Sequence, residues 1–162
     1  MLTDPDAEGR RLLAFARRSR VDGVGFGWLG ESGALDRTQG VHTWITARMT
    51  YVFALAALRG EPDALDLAGH GVAGLTSGPL RDREHAGWLG SVDADGSPRA
   101  VAKLAYDHAF VVLAASTAVA AGVPGADGLL VPVTRAALVR ALTSTLAPPT
   151  TTTSGDVSTP AG

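Results

Sequence analysis

Hydrophobic positions in the first 127 residues fall into helical stripes that alternate with glycine-rich polar segments. The first stripe follows Asp4 and Pro5, a typical N-cap followed by proline at the first helical position. Leu12 and Phe15 lie on the same face of this segment, at a spacing that favours an amphipathic helix. The pattern predicts a first helix that ends near Arg20.

Three further helices are predicted by the same criteria. The second covers residues 43–59 and the third covers residues 62–76, with a short Gly-x-Pro link between them. The fourth runs from about Val101 to Ala121, and a second Gly-x-Pro link follows it. The chain therefore repeats one unit twice. The unit consists of a helix, a long glycine-rich segment, a second helix and a short link.

The tetrapeptide GWLG occurs in both long segments, sixty residues apart. Two antiparallel helices cannot bury both of their faces, so units of this kind stack into a solenoid or a closed α/α barrel. All long segments then gather at one end, which is the expected binding end. We expect these segments to be long loops or short β-hairpins, with Trp28 and Trp88 as loop anchors.

Four motifs in order resemble one family: GFGWLGESG, WITARMTYVFALA, REHAGWLGSVDADG and KLAYDHAFVVLAAS. Over about residues 10–130 the chain resembles the N-terminal part of the N-acylglucosamine 2-epimerase family, which includes sugar aldose-ketose isomerases acting on mannose. The resemblance implies an all-α fold, with about five helices of an (α/α)6 barrel and hairpin-like Gly/Trp loops. It also implies no metal or cofactor, and a monosaccharide ligand of the mannose/fructose or N-acylhexosamine class.

The resemblance places Arg48 in contact with the sugar and no catalytic residue within this chain. Trp44, Tyr106 and His108 are the other expected substrate-binding residues, because they lie near the long segments at the same end of the cavity. Arg48 follows Trp44 by four residues on one helix face, where a cation would stabilise an oxyanion on the sugar. A shift of 62 residues sets Tyr106 opposite Trp44. The alternatives are an Arg48 side chain paired with a carboxylate in the bundle, and core packing for Tyr106 and His108.

In the family, two histidines of the C-terminal half exchange the proton beside the sugar carbonyl through an enediol(ate). The remaining histidines of this chain have simpler interpretations. His42 is expected in the cap region of the second helix, and His70 is expected to be a packing or surface residue. His85 lies near Asp82 and Glu84, but the three lack the spacing of a metal site.

Composition excludes several other classes of function. The net charge of −2 creates no electrostatic field that would attract nucleic acid or anionic lipid. The absence of cysteine excludes a thiolate nucleophile and a disulfide framework. The longest apolar run has about fifteen residues, fewer than the roughly twenty that cross a bilayer. The start of the chain lacks the apolar core of a signal peptide. We therefore expect a cytoplasmic protein that binds neither membrane nor nucleic acid.

The chain changes character after Gly128, where Asp156 is the sole acidic residue. We predict residues 1–127 as the N-terminal part of the barrel, residues 128–147 as a divergent fifth helix, and residues 148–162 as a disordered low-complexity tail. The expected function is that of a sugar epimerase or isomerase family member, truncated and inactive alone. The alternative is a non-catalytic remnant or interaction module that self-associates through the open barrel edge.

Overall fold

A computed structural model describes residues 4–133 of the chain. Its helices are α1 (Pro5–Ala16), α2 (Thr43–Leu58), α3 (Ala64–Thr76) and α4 (Ala105–Ala120), and residues 126–133 form α5. The expectation of about five helices is confirmed. Two of them begin later than predicted, because α3 starts after the Pro62-Asp63 turn and α4 starts four residues beyond Val101.

A five-stranded antiparallel sheet accompanies the helices, so the predicted all-α fold is confirmed only in part. Its strands are β1 (Arg20–Val21), β2 (Gly25–Leu29), β3 (Leu35–His42), β4 (Ser91–Val92) and β5 (Pro98–Ala100), and they pair in chain order. The first Gly/Trp segment supplies β1 to β3, and the second supplies β4 and β5. Both segments were expected as loops or hairpins, and they combine into one sheet.

The pairing of β3 with β4 joins the two repeats at one end of the molecule. Val41 pairs with Val92, and His42 pairs with Ser91. Directly after β3, the Thr43 backbone N–H donates to the Gly90 carbonyl at 3.1 Å and its hydroxyl donates to the Leu89 carbonyl at 2.6 Å. The start of α2 is therefore fixed to the second Gly/Trp segment.

Helix α2 lies at the centre of the helical layer and packs against both α3 and α4. Its contact with α3 is unusually close, because a Cβ atom on Gly71 would overlap the Thr50 hydroxyl. The Thr50 hydroxyl donates to the Thr46 carbonyl at 2.7 Å, and the Thr46 hydroxyl accepts from the Phe26 backbone N–H at 3.1 Å. The bond from Phe26 ties α2 to the sheet, and the close approach at Gly71 packs α2 against α3.

One predicted segment lies partly outside the described residues, and another lies wholly outside them. The predicted fifth helix, 128–147, is helical where it is described, up to residue 133, and the predicted tail, 148–162, falls outside. Within residues 4–133, no helix is both long and apolar enough to cross a membrane. The closed barrel remains a prediction.

Candidate functional site

Five aromatic side chains form a continuous group where α2 and α4 begin, called the ring cluster below: Trp28, His42, Trp44, Tyr106 and Phe110. The Trp44 ring centroid lies 5.9 Å from that of Trp28, 6.3 Å from that of His42 and 6.4 Å from that of Tyr106. The Tyr106 and Phe110 centroids are 4.9 Å apart. Trp28 is 38% exposed and Tyr106 is 56% exposed, so the ring cluster opens to solvent.

Helical spacing explains why these side chains converge. Trp44 and Arg48 occupy positions i and i+4 of α2, and Tyr106 and Phe110 occupy the same positions of α4. The two pairs lie on facing sides of the packed helices. Sheet strands bring the other two rings, because Trp28 lies on β2 and His42 ends β3.

The Arg48 guanidinium lies over two rings of this cluster. Its central carbon is 5.7 Å from the Trp44 centroid and 5.3 Å from the Phe110 centroid, within the range of a cation–π contact. Arg48 is exposed, and among residues 4–133 no carboxylate reaches it within ion-pair distance. The alternative of an Arg48 side chain paired with a carboxylate in the bundle is therefore not seen among these residues. The Arg48 guanidinium lies in an aromatic setting that is open to solvent.

His108 lies apart from the other predicted site residues. The structure brings Trp44, Arg48 and Tyr106 together, whereas the His108 side chain is 5% exposed and its ring lies edge-on to Trp88 with centroids 5.4 Å apart. Its Nδ1 donates to the Leu104 carbonyl at 2.8 Å. A substrate-binding role for His108 stays a prediction.

Three members of the ring cluster were not among the predicted substrate-binding residues: Phe110, Trp28 and His42. Phe110 was detectable, because it follows Tyr106 by four residues as Arg48 follows Trp44. Trp28 was expected to anchor its loop, and nothing in the local sequence distinguishes it from Trp88. His42, expected in the cap region, does occupy the N-cap of α2 but makes no side-chain capping bond.

Asp107 is the most unusual polar residue beside the ring cluster. It lies in the first turn of α4, is 1% exposed, and neither of its carboxylate oxygens has a hydrogen-bond partner within the described part of the chain. Burial raises the pKa of Asp107 above its usual value, and the charges of His108 and His42 oppose that rise. Sequence reasoning missed it because burial depends on tertiary packing.

The other two histidines lie outside this site. His70 donates through Nε2 to the Gly25 carbonyl at 2.8 Å and meets the Phe26 ring edge-on, which confirms a packing role. His85 is exposed, with Nδ1 3.7 Å from an Asp82 oxygen. No group of three or more metal-ligating side chains converges anywhere in residues 4–133.

Comparison with known proteins finds a family and relatives to which this sequence is similar. The sequence profile of the N-acylglucosamine 2-epimerase family matches residues 25–158. A D-mannose isomerase of Thermobifida fusca is 54% identical over 125 residues, which cover 77% of this chain and 30% of that protein. A D-mannose isomerase of Pseudomonas cannabina pv. alisalensis is 47% identical over 123 residues, which cover 76% of this chain and 29% of that protein. The match thus spans under a third of the length of either relative. On this profile and these identities, the chain belongs to the N-acylglucosamine 2-epimerase family.

Proposed function

We propose that this chain supplies one wall of a monosaccharide site in a sugar 2-epimerase or aldose-ketose isomerase, with mannose as the substrate. The observation that carries the proposal is the Arg48 guanidinium, held over Trp44 and Phe110 beside the exposed Tyr106 ring. The similarity to two D-mannose isomerases supports the choice of sugar. Because the match covers 30% of the first of them, the complete activity is part of the proposal.

The chemistry of the ring cluster suits a sugar in two ways. A pyranose presents apolar C–H faces, which stack on indole and phenol rings, and hydroxyl groups, which bond to the Tyr106 hydroxyl. Aldose-ketose interconversion passes through an enediol(ate), whose developing negative charge a fixed cation stabilises. Arg48 is suited to that role because aromatic faces hold it, and no carboxylate among the described residues neutralises it.

Proton transfer needs a further component. General acid-base catalysis requires groups that titrate near neutrality and lie within hydrogen-bond reach of the sugar carbons. In this proposal the two histidines that move the proton come from outside this chain, as the family resemblance implies. We therefore expect the 162-residue chain alone to exchange no proton at C2 of mannose in heavy water, measured by NMR. Exchange that His108→Ala abolishes would contradict this division of roles.

A chimera tests whether the chain can form the wall of the site. In it, residues 4–133 replace the matching segment of the Thermobifida fusca D-mannose isomerase, to which the chain is 54% identical. We expect the chimera to convert mannose to fructose. Arg48→Ala should lower kcat by about 10²–10³-fold, the loss typical for one oxyanion-stabilising group.

Arg59→Ala provides the matched control. Arg59 is also an exposed arginine of the α2 region, but it is the C-cap residue at the opposite end of the helix from the ring cluster. We expect this variant to keep the activity of the parent chimera. A folded and active chimera that tolerates Arg48→Ala as well as Arg59→Ala would refute the proposal.

Self-association is the second part of the proposal, and it rests on an apolar groove between α1 and α2. The groove has a volume of about 670 Å³ and includes Leu12, Val52 and Leu55, which are 53%, 37% and 39% exposed. Apolar surface of this kind favours association. We expect the chain to form dimers or larger species at high concentration in analytical ultracentrifugation. A single monomeric species at high concentration would contradict this.

A further inference from the structure

His42 is a residue of the ring cluster whose imidazole neither the helix nor the sheet requires. It occupies the N-cap of α2, where Ser, Thr, Asp and Asn are favoured because their side-chain oxygens accept from the first N–H groups of a helix. The His42 side chain makes no such bond. The pairing of His42 with Ser91 depends on the main chain rather than on the ring. Neither capping nor strand pairing therefore accounts for a histidine at this position.

One hydrogen bond determines which ring nitrogen of His42 carries the proton. Nε2 lies 3.1 Å from the carbonyl oxygen of Gln39. A carbonyl oxygen can only accept, so Nε2 donates, and the neutral ring has its proton there. The other nitrogen, Nδ1, is then a hydrogen-bond acceptor.

The Nδ1 atom of His42 is open to solvent. Among residues 4–133 no group donates to it, and yet it is not one of the buried polar atoms that lack a partner. Within this part of the chain those buried atoms belong to Arg17 and Asp107. His42 therefore presents an accessible acceptor that the fold itself does not use.

His42 and Arg48 contact the same indole ring and have opposite hydrogen-bonding character. The His42 ring centroid lies 6.3 Å from that of Trp44, and the central carbon of the Arg48 guanidinium lies 5.7 Å from the same Trp44 centroid. Arg48 can only donate, whereas neutral His42 offers an acceptor. A sugar in aldose-ketose interconversion needs both, because its carbonyl or enediolate oxygen accepts and its hydroxyl groups donate.

We propose that His42 is a substrate-contacting residue of the ring cluster, whose Nδ1 accepts a hydrogen bond from a sugar hydroxyl on a carbon beyond C2. The inference rests on the proposed function, in which Arg48 faces the oxygens at C1 and C2. A sugar that lacks the bonded hydroxyl leaves Nδ1 without its donor, so His42 contributes to substrate specificity. Proton transfer remains with other groups.

Kinetics of the chimera on mannose and on its 3-deoxy, 4-deoxy and 6-deoxy derivatives test this contact. His42→Phe keeps an aromatic ring beside Trp28 and Trp44 but has no acceptor. We expect it to lower kcat/KM for mannose about twofold to tenfold, the range for one neutral hydrogen bond, and to have no effect on the derivative that lacks the bonded hydroxyl. Equal losses on mannose and on all three derivatives would overturn the proposal, as would an unchanged kcat/KM for mannose.

His85→Phe is the matched control, because His85 is an exposed histidine outside the ring cluster. We expect this variant to turn over mannose at the rate of the parent chimera. Urea unfolding separates substrate contact from a structural role, since His42→Phe should keep the midpoint of the parent. A lower midpoint for His42→Phe, together with equal losses on every sugar, would assign His42 to the fold alone.

The acceptor can also be tested in the full chain without any sugar. Nitrogen-15 NMR in mildly alkaline solution, where imidazole is neutral, should show a protonated Nε2 and an unprotonated Nδ1 for the ring that His42→Phe removes. A protonated Nδ1 would overturn the proposal whatever the chimera does. A chimera that does not turn over mannose would refute the proposed function and the sugar contact with it, whereas an active chimera that is insensitive to His42→Phe would refute this inference alone.

Discussion

The two GWLG segments place the same tryptophan in opposite environments. Trp88 is 1% exposed, and its Nε1 donates to the Leu75 carbonyl at 2.6 Å. Trp28 is 38% exposed and contacts His42 and Trp44 in the ring cluster. One copy therefore anchors the fold as expected, whereas the other lines the candidate site.

Strand pairing explains the difference. Trp28 lies within β2, at a shift of register between Gly27 and Trp28, where Gly27 pairs with Val41 and Trp28 pairs with Asp36. Trp88 precedes β4 and forms a single bridge with Arg81, whose guanidinium lies 4.5 Å from the Trp88 ring centroid. The strand with which each backbone segment pairs, rather than the tetrapeptide itself, determines the direction of each indole ring.

Trp88→Ala should produce the largest effect. Truncating this buried ring removes its packing and leaves the Leu75 carbonyl without its donor, at an expected cost of about 3–5 kcal/mol in the free energy of unfolding. Urea unfolding followed by circular dichroism measures the loss. Trp28→Ala is the control, and a cost for it as large as that for Trp88→Ala would contradict the comparison.

Trp28→Ala should weaken ligand binding rather than reduce folding stability. Loss of one aromatic contact to the sugar weakens binding by roughly 0.5–1.5 kcal/mol, so KM for mannose in the chimera should rise about twofold to tenfold. Steady-state kinetics with Trp28→Phe alongside tests this, because phenylalanine keeps an aromatic face. Unchanged kinetics in Trp28→Ala would remove Trp28 from the site.

Acid should loosen the Trp88 segment through Asp82, with a smaller effect. Lys103 Nζ lies 2.6 Å from an Asp82 oxygen, and the backbone N–H groups of Glu84 and His85 also donate to Asp82, both at 2.9 Å. These contacts, first that with Lys103, lower the pKa of Asp82 from 3.8 to about 2. A lowered folded pKa means that the stabilisation is present above the unfolded value and is lost as pH falls through about 2.

The test is the Trp88 indole resonance during an acid titration. It should shift as Asp82 becomes protonated when the pH falls through about 2, and Asp82→Asn should remove that part of the titration. Asp93→Asn, which removes an exposed carboxylate 3.1 Å from Arg99 on β5, is the control. A titration that persists in Asp82→Asn would show that another group holds the segment.

Local sequence signals were sufficient for the helices. Pro5 marks the start of α1, and Gly60 and Gly122 follow the ends of α2 and α4 with positive φ of 76° and 68°. Helical spacing also placed Trp44 and Arg48 on one face. These features depend on residues within one or two turns of each other, so the sequence alone contains them.

Features that depend on distant partners were not predictable in this way. The sheet was missed because β1 and β4 have two residues each, too short for an alternating pattern. The burial of Asp107 and the exposure of Trp28 both depend on which strands and helices meet. The solvent exposure of Arg48 depends on the open end of the bundle, which could not be inferred from its helix.

The β3–β4 pairing has a consequence for how the protein folds. His42 and Ser91 pair across about fifty residues of intervening chain, so their contact forms only after a large loss of chain entropy. Contacts within each helical hairpin are local and need no such closure. The ring cluster contains His42 and Trp28 from the sheet, so its geometry is completed by the slowest class of contacts in the molecule. We therefore expect the site to assemble in the same step as global folding, after the helices have formed.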